Sequence, residues 1–241
     1  MIKIEDIDVD GWRAAIRGMR NPMNSWEKSD TIFDGDKWCL GNNDLKLMQQ
    51  LSTAGDDDSK FLRMIVVTMD ITAPLYWWKE FDTYKVGTVA NSCSTMHKIA
   101  DKEFTVDDFS HEHLDGVSRD MFYQNDRNQP YFFCSFEDIL YIQIEALNRA
   151  RNLYLETKTK PMKEEAKRAP LMKKYWWQMI QLLPSSYNQK RTVLLNYQVL
   201  KNMYFARRNH KLDEWRTFCE EVKKLPCFEE ACIEPVSYKH S

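Results

Sequence analysis

Three groups of residues have types and spacings that could do chemistry. Cys93 lies between Ser92 and Ser94, with His97 four residues further on, the raw material of a thiol nucleophile and its base. A catalytic thiol needs a partner that lowers its pKa, and closeness in sequence does not supply one, so a structural cysteine is the stronger reading. His111 and His113 flank Glu112. A single H-x-H in a polar stretch, without a second ligand cluster, makes a poor metal site, and no metal is expected. The third is Arg207. Leu200, Met203 and Arg207 fall at i, i+3 and i+7, beside Leu195 and Val199, on one edge of an apolar helical stripe. A guanidinium there must find a carboxylate, a phosphate or carbonyls, because burying an unpaired charge is costly. On helix geometry alone, a structural ion pair or a snorkelling side chain outweighs a ligand role.

These residues need elements to hold them. The first forty residues are polar and read as an N-terminal extension with loop signals in "RNPMNSWEKSD" and "FDGDK". "GNNDLKLMQQLSTAGDDD" reads as a helix capped by Asn43 or Asp44, with Leu45, Met48 and Leu51 on one face and Gly55 as its stop. In "RMIVVTMDITAP", Ile65, Val67, Met69 and Ile71 alternate with their neighbours, the period of a strand with one buried face. Pro74 suits the first turn of an aromatic helix, "PLYWWKEF".

Residues 101–134 are the least regular part. From Ser135 a helix begins: Ser135 and Asp138 have capping-box spacing, and Leu140, Ile144, Leu147 and Tyr154 hold one face. Residues 156–170 form a charged connector, solvated or partly helical. "LMKKYWWQMIQLLP" is a further helix, and a last long one is expected from about Val193 to Phe218. One or two strands with at least five helices make an α+β protein, read here as a single domain over residues 1–241.

Composition bounds what these elements can serve. The chain has 241 residues and a mass of 28.8 kDa, with 43% apolar residues and eight tryptophans. That much apolar material needs a core and argues against wholesale disorder. A net charge of −2 gives no global field for nucleic acid, and no nucleic-acid partner is expected. Six scattered cysteines without C-x-x-C spacing, and no secretory signal, point to free thiols in a reducing cytoplasm. No window approaches the roughly 18 apolar residues of a membrane span, so no membrane association is expected. P-loop, G-x-G-x-x-G and G-x-S-x-G patterns are absent from the chain.

Three segments, in order, resemble the flavin-dependent thymidylate synthases. "NDLKLMQQLSTAGDDDSKFLRMIVVTMDITAPLYWWKEF" resembles the family's helix, its S-P-F-E-H turn, a strand ending I-x-A-P and an aromatic helix. "EFDTYKVGTVANSCSTMHK" lies where the family carries R-H-R-x-x-S-x-N-E-x-S-x-R-Y. "LLPSSYNQKRTVLLNYQVLKNMYFARRNHKLDEWR" resembles the family's L-P turn, its N-x-x-x-x-R helix and E-x-R. The resemblance spans roughly residues 44–99 and 171–218. It implies an α+β fold around a twisted antiparallel sheet and a homotetramer with active sites between subunits. It also implies FAD as hydride carrier, dUMP as substrate, and, for an active enzyme, NADPH and methylenetetrahydrofolate.

Carried over residue by residue, the resemblance keeps little of the signature. Asn91 and Ser94 match its Asn and second Ser. Tyr84, Lys85 and Val86 then stand for R-H-R, Val89 for the first Ser, Ser92 for the Glu, Met96 for an Arg and His97 for the Tyr. Phe61 survives from S-P-F-E-H, while Leu62 and Arg63 replace its Glu and His, and Ile180 replaces an Arg before the L-P turn. Asn202 and Arg207 match the nucleotide-side pair, and His210 lies near the family's His.

By resemblance, the nucleotide contacts are therefore Asn91, Ser94, Asn202, Arg207 and Lys85, and the flavin contacts are Arg63, Ser92, His97 and His210. A nucleotide monophosphate carries close to two negative charges, which the family meets with several arginines. Losing two or three such contacts, at roughly 1.5–3 kcal/mol each, weakens binding by orders of magnitude unless Arg63, Arg208 or Lys98 compensates. Two readings stand: a divergent flavin-dependent enzyme acting on a nucleotide, or a non-catalytic, homo-oligomeric binding or regulatory protein that keeps the fold.

Overall fold

The computed structural model describes residues 2–35, 37–117, 121–123 and 132–234. In chain order its elements are β1 (Lys3–Asp10), α1 (Trp12–Arg20), β2 (Ile32–Asp34), β3 (Lys37–Cys39), α2 (Asn42–Ala54), β4 (Val66–Pro74), α3 (Leu75–Phe81), β5 (Val89–Ser92) and α4 (Thr95–Lys98). They continue as β6 (Met121–Tyr123), β7 (Phe132–Cys134), α5 (Phe136–Thr159), α6 (Arg168–Leu182), β8 (Asn188–Asn196), α7 (Tyr197–Arg207) and α8 (Asp213–Lys223). This is the expected α+β class. The single domain read from the sequence comprises two compact units: one holds residues 2–72, 77–91 and 190 onward, the other 73–76 and 92–189.

The first unit is built on a four-stranded sheet in the order β1-β4-β8-β5. β4 shows the alternation expected of it, with Ile65, Val67, Met69 and Ile71 all buried. β1 pairs with β4 antiparallel, and its register shifts between Glu5 and Asp8, around a left-handed Asp6 at φ 50°. The polar first forty residues are thus integral to this unit. β1 forms a sheet edge, and α1 buries Trp12, Ala15, Ile16 and Met19. The first "YWW" goes to the core as well: Trp77 and Trp78 are buried and pack against Phe81, with the Trp215 ring tilted against Trp77, centroids 4.7 Å apart.

Two expectations change here. The helix expected from Val193 to Phe218 is instead a strand and two helices, β8, α7 and α8. Val193 and Leu195 are buried while Thr192 and Leu194 are exposed, a period of two. Asn196 then caps α7, its side chain accepting the Val199 N–H at 3.0 Å. Asp44 is not the cap of α2, which opens one turn earlier from Gly41. Its carboxylate is fully buried instead, accepting from Arg20 Nε (2.7 Å), Ser29 Oγ (2.8 Å), Thr31 Oγ1 (2.6 Å) and the Asp30 and Thr31 N–H groups. Gly55, at φ 142°, ends α2 as expected.

The second unit is organised by α5 packed against α6. Leu140, Ile144, Leu147 and Ala150 meet Ile99, Phe104, Phe109 and Met179 in one apolar cluster, with Tyr154 partly buried against it. The capping box at Ser135 is formed: its Oγ accepts the Asp138 N–H at 3.0 Å, and Asp138 accepts the Ser135 N–H at 2.8 Å. The charged connector is shorter than residues 156–170, because α5 runs to Thr159 and α6 starts at Arg168. Of the second "YWW", Trp177 is exposed, while Trp176 donates its indole N–H to the Met96 carbonyl at 3.0 Å.

Candidate functional site

The signature-like stretch begins where α3 ends. Turn bonds from Asp82, Thr83 and Tyr84 back to Trp78, Glu80 and Phe81 stop the helix and turn the chain. Gly87 follows at φ 76°, a conformation side-chain-bearing residues avoid. A Cβ there would lie 2.9 Å from Asn196 Nδ2 and 3.1 Å from Val199 Cγ2, so the lone glycine lets the loop settle on the start of α7. β5 then forms the other edge of the sheet, with all four residues exposed.

That folding sets the end of α3 and Tyr84 beside the last turn of α7. Arg207 donates through Nη1 to Glu80 Oε2 at 2.8 Å and through Nε to the Tyr84 hydroxyl at 2.9 Å. Its guanidinium lies 4.9 Å from the Trp215 ring centroid and 5.6 Å from that of Tyr84. The same Glu80 oxygen accepts the Trp215 indole N–H at 3.0 Å and lies 3.4 Å from His210 Nε2. His210 Nδ1 accepts the Leu212 N–H at 3.2 Å, which fixes the imidazole proton on Nε2, facing Glu80. Beside this group, burial and then Glu220 push the Cys219 thiol up to about 11, against the opposing pull of Arg207, so it stays protonated and inert.

Chemically, this is a closed arrangement. One carboxylate balances one guanidinium, and the aromatic rings wall the pair. Arg207 therefore makes the ion pair that helix geometry alone favours.

The remaining sequence-derived residues fall in separate places. In the sheet-bearing unit, Asn91 is exposed on β5, Lys85 is exposed in the turn, and Arg63 is exposed on the 3-10 turn Ser59–Met64. Asn202 is exposed on α7, its Oδ1 accepting from Gln198 Nε2 at 3.3 Å. In the other unit, Ser92 and His97 are exposed, and Ser94 caps α4 by accepting the His97 N–H at 3.3 Å. The structure thus gathers Arg207 and His210, and joins Ser94 to His97. The residues assigned to a flavin are divided between the two units, Arg63 and His210 in one and Ser92 and His97 in the other. His210 faces Glu80, and Arg63 is the single cation among them. His111 and His113 belong to no metal cluster among the described residues.

Sequence reasoning missed Glu80, Tyr84 and Trp215 as the partners of Arg207. Glu80 lies 127 residues away, and no local pattern couples the two. The signal available was the position of Arg207 on an apolar edge, which demands an acceptor without naming it.

The fold these elements make is that of the flavin-dependent thymidylate synthases. The chain matches the crystal structure of Thymidylate Synthase X (ThyX) from Helicobacter pylori with FAD and dUMP at a TM-score of 0.61 and 16% identity, over 97% of this chain and 98% of that one. A second structure of the Helicobacter pylori flavin-dependent enzyme, also complexed with FAD and dUMP, matches with a TM-score of 0.60 and 17% identity, over 96% and 98% of the two chains. No protein-family model and no curated protein matches the chain. At this identity the likeness establishes fold, and function must be argued from the site.

Proposed function

We propose that this chain is a non-catalytic, homo-oligomeric binding or regulatory protein on a flavin-dependent thymidylate synthase-like fold. The observation that carries the proposal is the Arg207–Glu80 pair. The one arginine that the resemblance leaves on the nucleotide side already has its carboxylate, in its own chain. A phosphomonoester would have to displace Glu80 and then leave that carboxylate beside it, a like charge, which disfavours the bound state. Lys85 is an exposed point charge and Arg63 a single exposed guanidinium, in place of a bidentate arginine cluster.

Oligomerisation by the family's route is supported by large apolar side chains left outside, among them Phe136, Ile139 and Ile142 on α5 and Trp177 on α6. Light scattering is expected to give four times the 28.8 kDa chain mass, and a 28.8 kDa particle would remove this part of the proposal.

The second reading is a divergent flavin enzyme of the cytoplasm, taking FAD and a nucleotide, with NADPH and methylenetetrahydrofolate for turnover. It is favoured by the match along nearly the whole chain to structures holding FAD and dUMP. On this reading Asn91, Ser94, Asn202, Arg207 and Lys85 face the nucleotide, and Arg63, Ser92, His97 and His210 face the flavin.

Absorbance and thermal shift separate the two, because a specific ligand raises stability by mass action. A colourless protein whose melting temperature dUMP does not move, with or without FAD, is expected. A yellow protein stabilised by dUMP would overturn the first reading in favour of the second.

A further inference from the structure

An open pocket in the sheet-bearing unit is lined by Trp38, Cys39 and Leu45 on one side of the chain and by Pro226, Cys227 and Glu230 on the other. Two cysteines that are far apart in sequence thus line one open pocket. Cys39 is exposed and Cys227 is half-buried, whereas Cys134, Cys219 and Cys232 are buried and the exposed Cys93 lies in the other unit.

Both backbones are pinned at the pocket. Trp38, next to Cys39, packs tilted against buried Trp12 with ring centroids 4.5 Å apart. On the other wall, the Pro226 carbonyl accepts the Tyr197 hydroxyl at 2.7 Å, and buried Phe228 packs edge-on against the Tyr197 ring at 5.2 Å. Between those two anchors Cys227 sits at φ 51°, a left-handed conformation in which glycine or asparagine is usual. The turn therefore accepts strain at a cysteine that lines the pocket.

We propose that Cys39 and Cys227 form a reversible intramolecular disulfide, a redox-modification site that ties the β2–β3 hairpin to the turn after α8. The oxidant is of the low-molecular-weight disulfide class, with glutathione disulfide as the probe. The Cys39 thiolate attacks one sulfur of glutathione disulfide, forming a mixed disulfide and releasing one glutathione thiolate. The Cys227 thiolate then attacks the Cys39 sulfur, forming the protein disulfide and releasing the second glutathione. Two protein thiols lose two electrons, glutathione disulfide gains them, and the two thiol protons pass to the two glutathiones. This order follows from access, since Cys39 is exposed and Cys227 is half-buried, and burial, then Glu230 and Cys39, push the Cys227 thiol up.

The test is to incubate the full native chain with glutathione disulfide, then denature it, titrate its thiols and map its peptides without reduction. The titre is expected to fall by two from six, with one linked peptide pair carrying Cys39 and Cys227, and dithiothreitol should restore it. Cys93→Ser should leave the link unchanged, and Cys39→Ser or Cys227→Ser should abolish it. A glutathione adduct persisting on Cys39, a Cys227–Cys232 link, a covalent dimer through Cys39, or no thiol loss would each overturn the proposal. Mapping the native chain keeps the test independent of whether either serine variant folds.

Discussion

Arg20–Asp44 and Arg207–Glu80 are the same chemical pair in the same unit, at nearly the same length, 2.7 and 2.8 Å. Their surroundings differ. Arg20 and Asp44 are 4% and 0% exposed, whereas Arg207 and Glu80 are 20% and 34% exposed. Asp44 collects hydroxyl and backbone donors from residues 29–31, so its removal would leave several buried donors unmatched. Glu80 collects a guanidinium, an indole and an imidazole at the end of a helix, where the carboxylate, the guanidinium and the imidazole are partly open to water and only the indole of Trp215 is buried. One pair therefore holds the fold together. The other holds a charge in check, and only the second could have been remodelled into or out of a ligand site without losing the fold.

Asp44→Ala tests the first half of that contrast and should have the largest effect. It leaves Arg20 buried without its counter-charge, and a loss of about 3–5 kcal/mol is expected in denaturant unfolding. The pair also carries an acid dependence. Burial alone would raise the Asp44 pKa, but the bonds from Thr31, Ser29 and Arg20 outweigh it and hold the carboxyl below its ordinary 3.8. A depressed folded pKa adds stability that is present above 3.8 and lost as pH falls through the lower folded value. Asp44→Asn should flatten that part of the acid limb of a stability–pH profile. An unchanged limb would show that another carboxylate is responsible.

Glu80→Gln probes the second half. Because the pair is partly exposed, the stability cost should stay at or below about 2 kcal/mol. The variant should also gain weak binding of inorganic phosphate or dUMP at Arg207, with a Kd of about millimolar or weaker for a single guanidinium contact. Calorimetric titration of both proteins reads this directly. Equal phosphate affinity before and after the substitution would mean that Glu80 does not control the arginine.

The two pairs also differ in how legible they were. The need for a partner at Arg207 was visible from its place on an apolar edge, but its identity was not, because Glu80 comes from another helix across more than half the chain. Helix starts favour asparagine and aspartate, so Asn43 or Asp44 reads as a cap, and nothing local shows that residues 29–31 fold back over Asp44. Val193–Leu195 differ from the expected helix for another reason. A three-residue apolar run fits a buried strand and the start of a helix equally well, and the sheet neighbours that decide the matter are remote in sequence. What was read correctly rested on long or self-contained patterns, such as the alternation of β4, the Ser135 capping box and the apolar face of α5.

Gly87 joins the two kinds of information, since its conformation is local and its contact is not. Gly87→Ala must hold a Cβ at φ 76° and move Asn196 or Val199 aside, and Asn196 is the cap of α7. A loss of roughly 1–2 kcal/mol is expected from the strain and the disturbed cap together. Ser135→Ala removes a cap with no such coupling and should cost less, about 1 kcal/mol, in the other unit. The two substitutions should also differ in reach. Hydrogen exchange in Gly87→Ala should quicken at the start of α7 and around Arg207, because the loop that carries Tyr84 loses its seat. In Ser135→Ala the change should stay within the first turn of α5. If Gly87→Ala leaves α7 protected, the loop does not position the Arg207 cluster through Asn196, and the grip on that arginine comes from Glu80 and Trp215 alone.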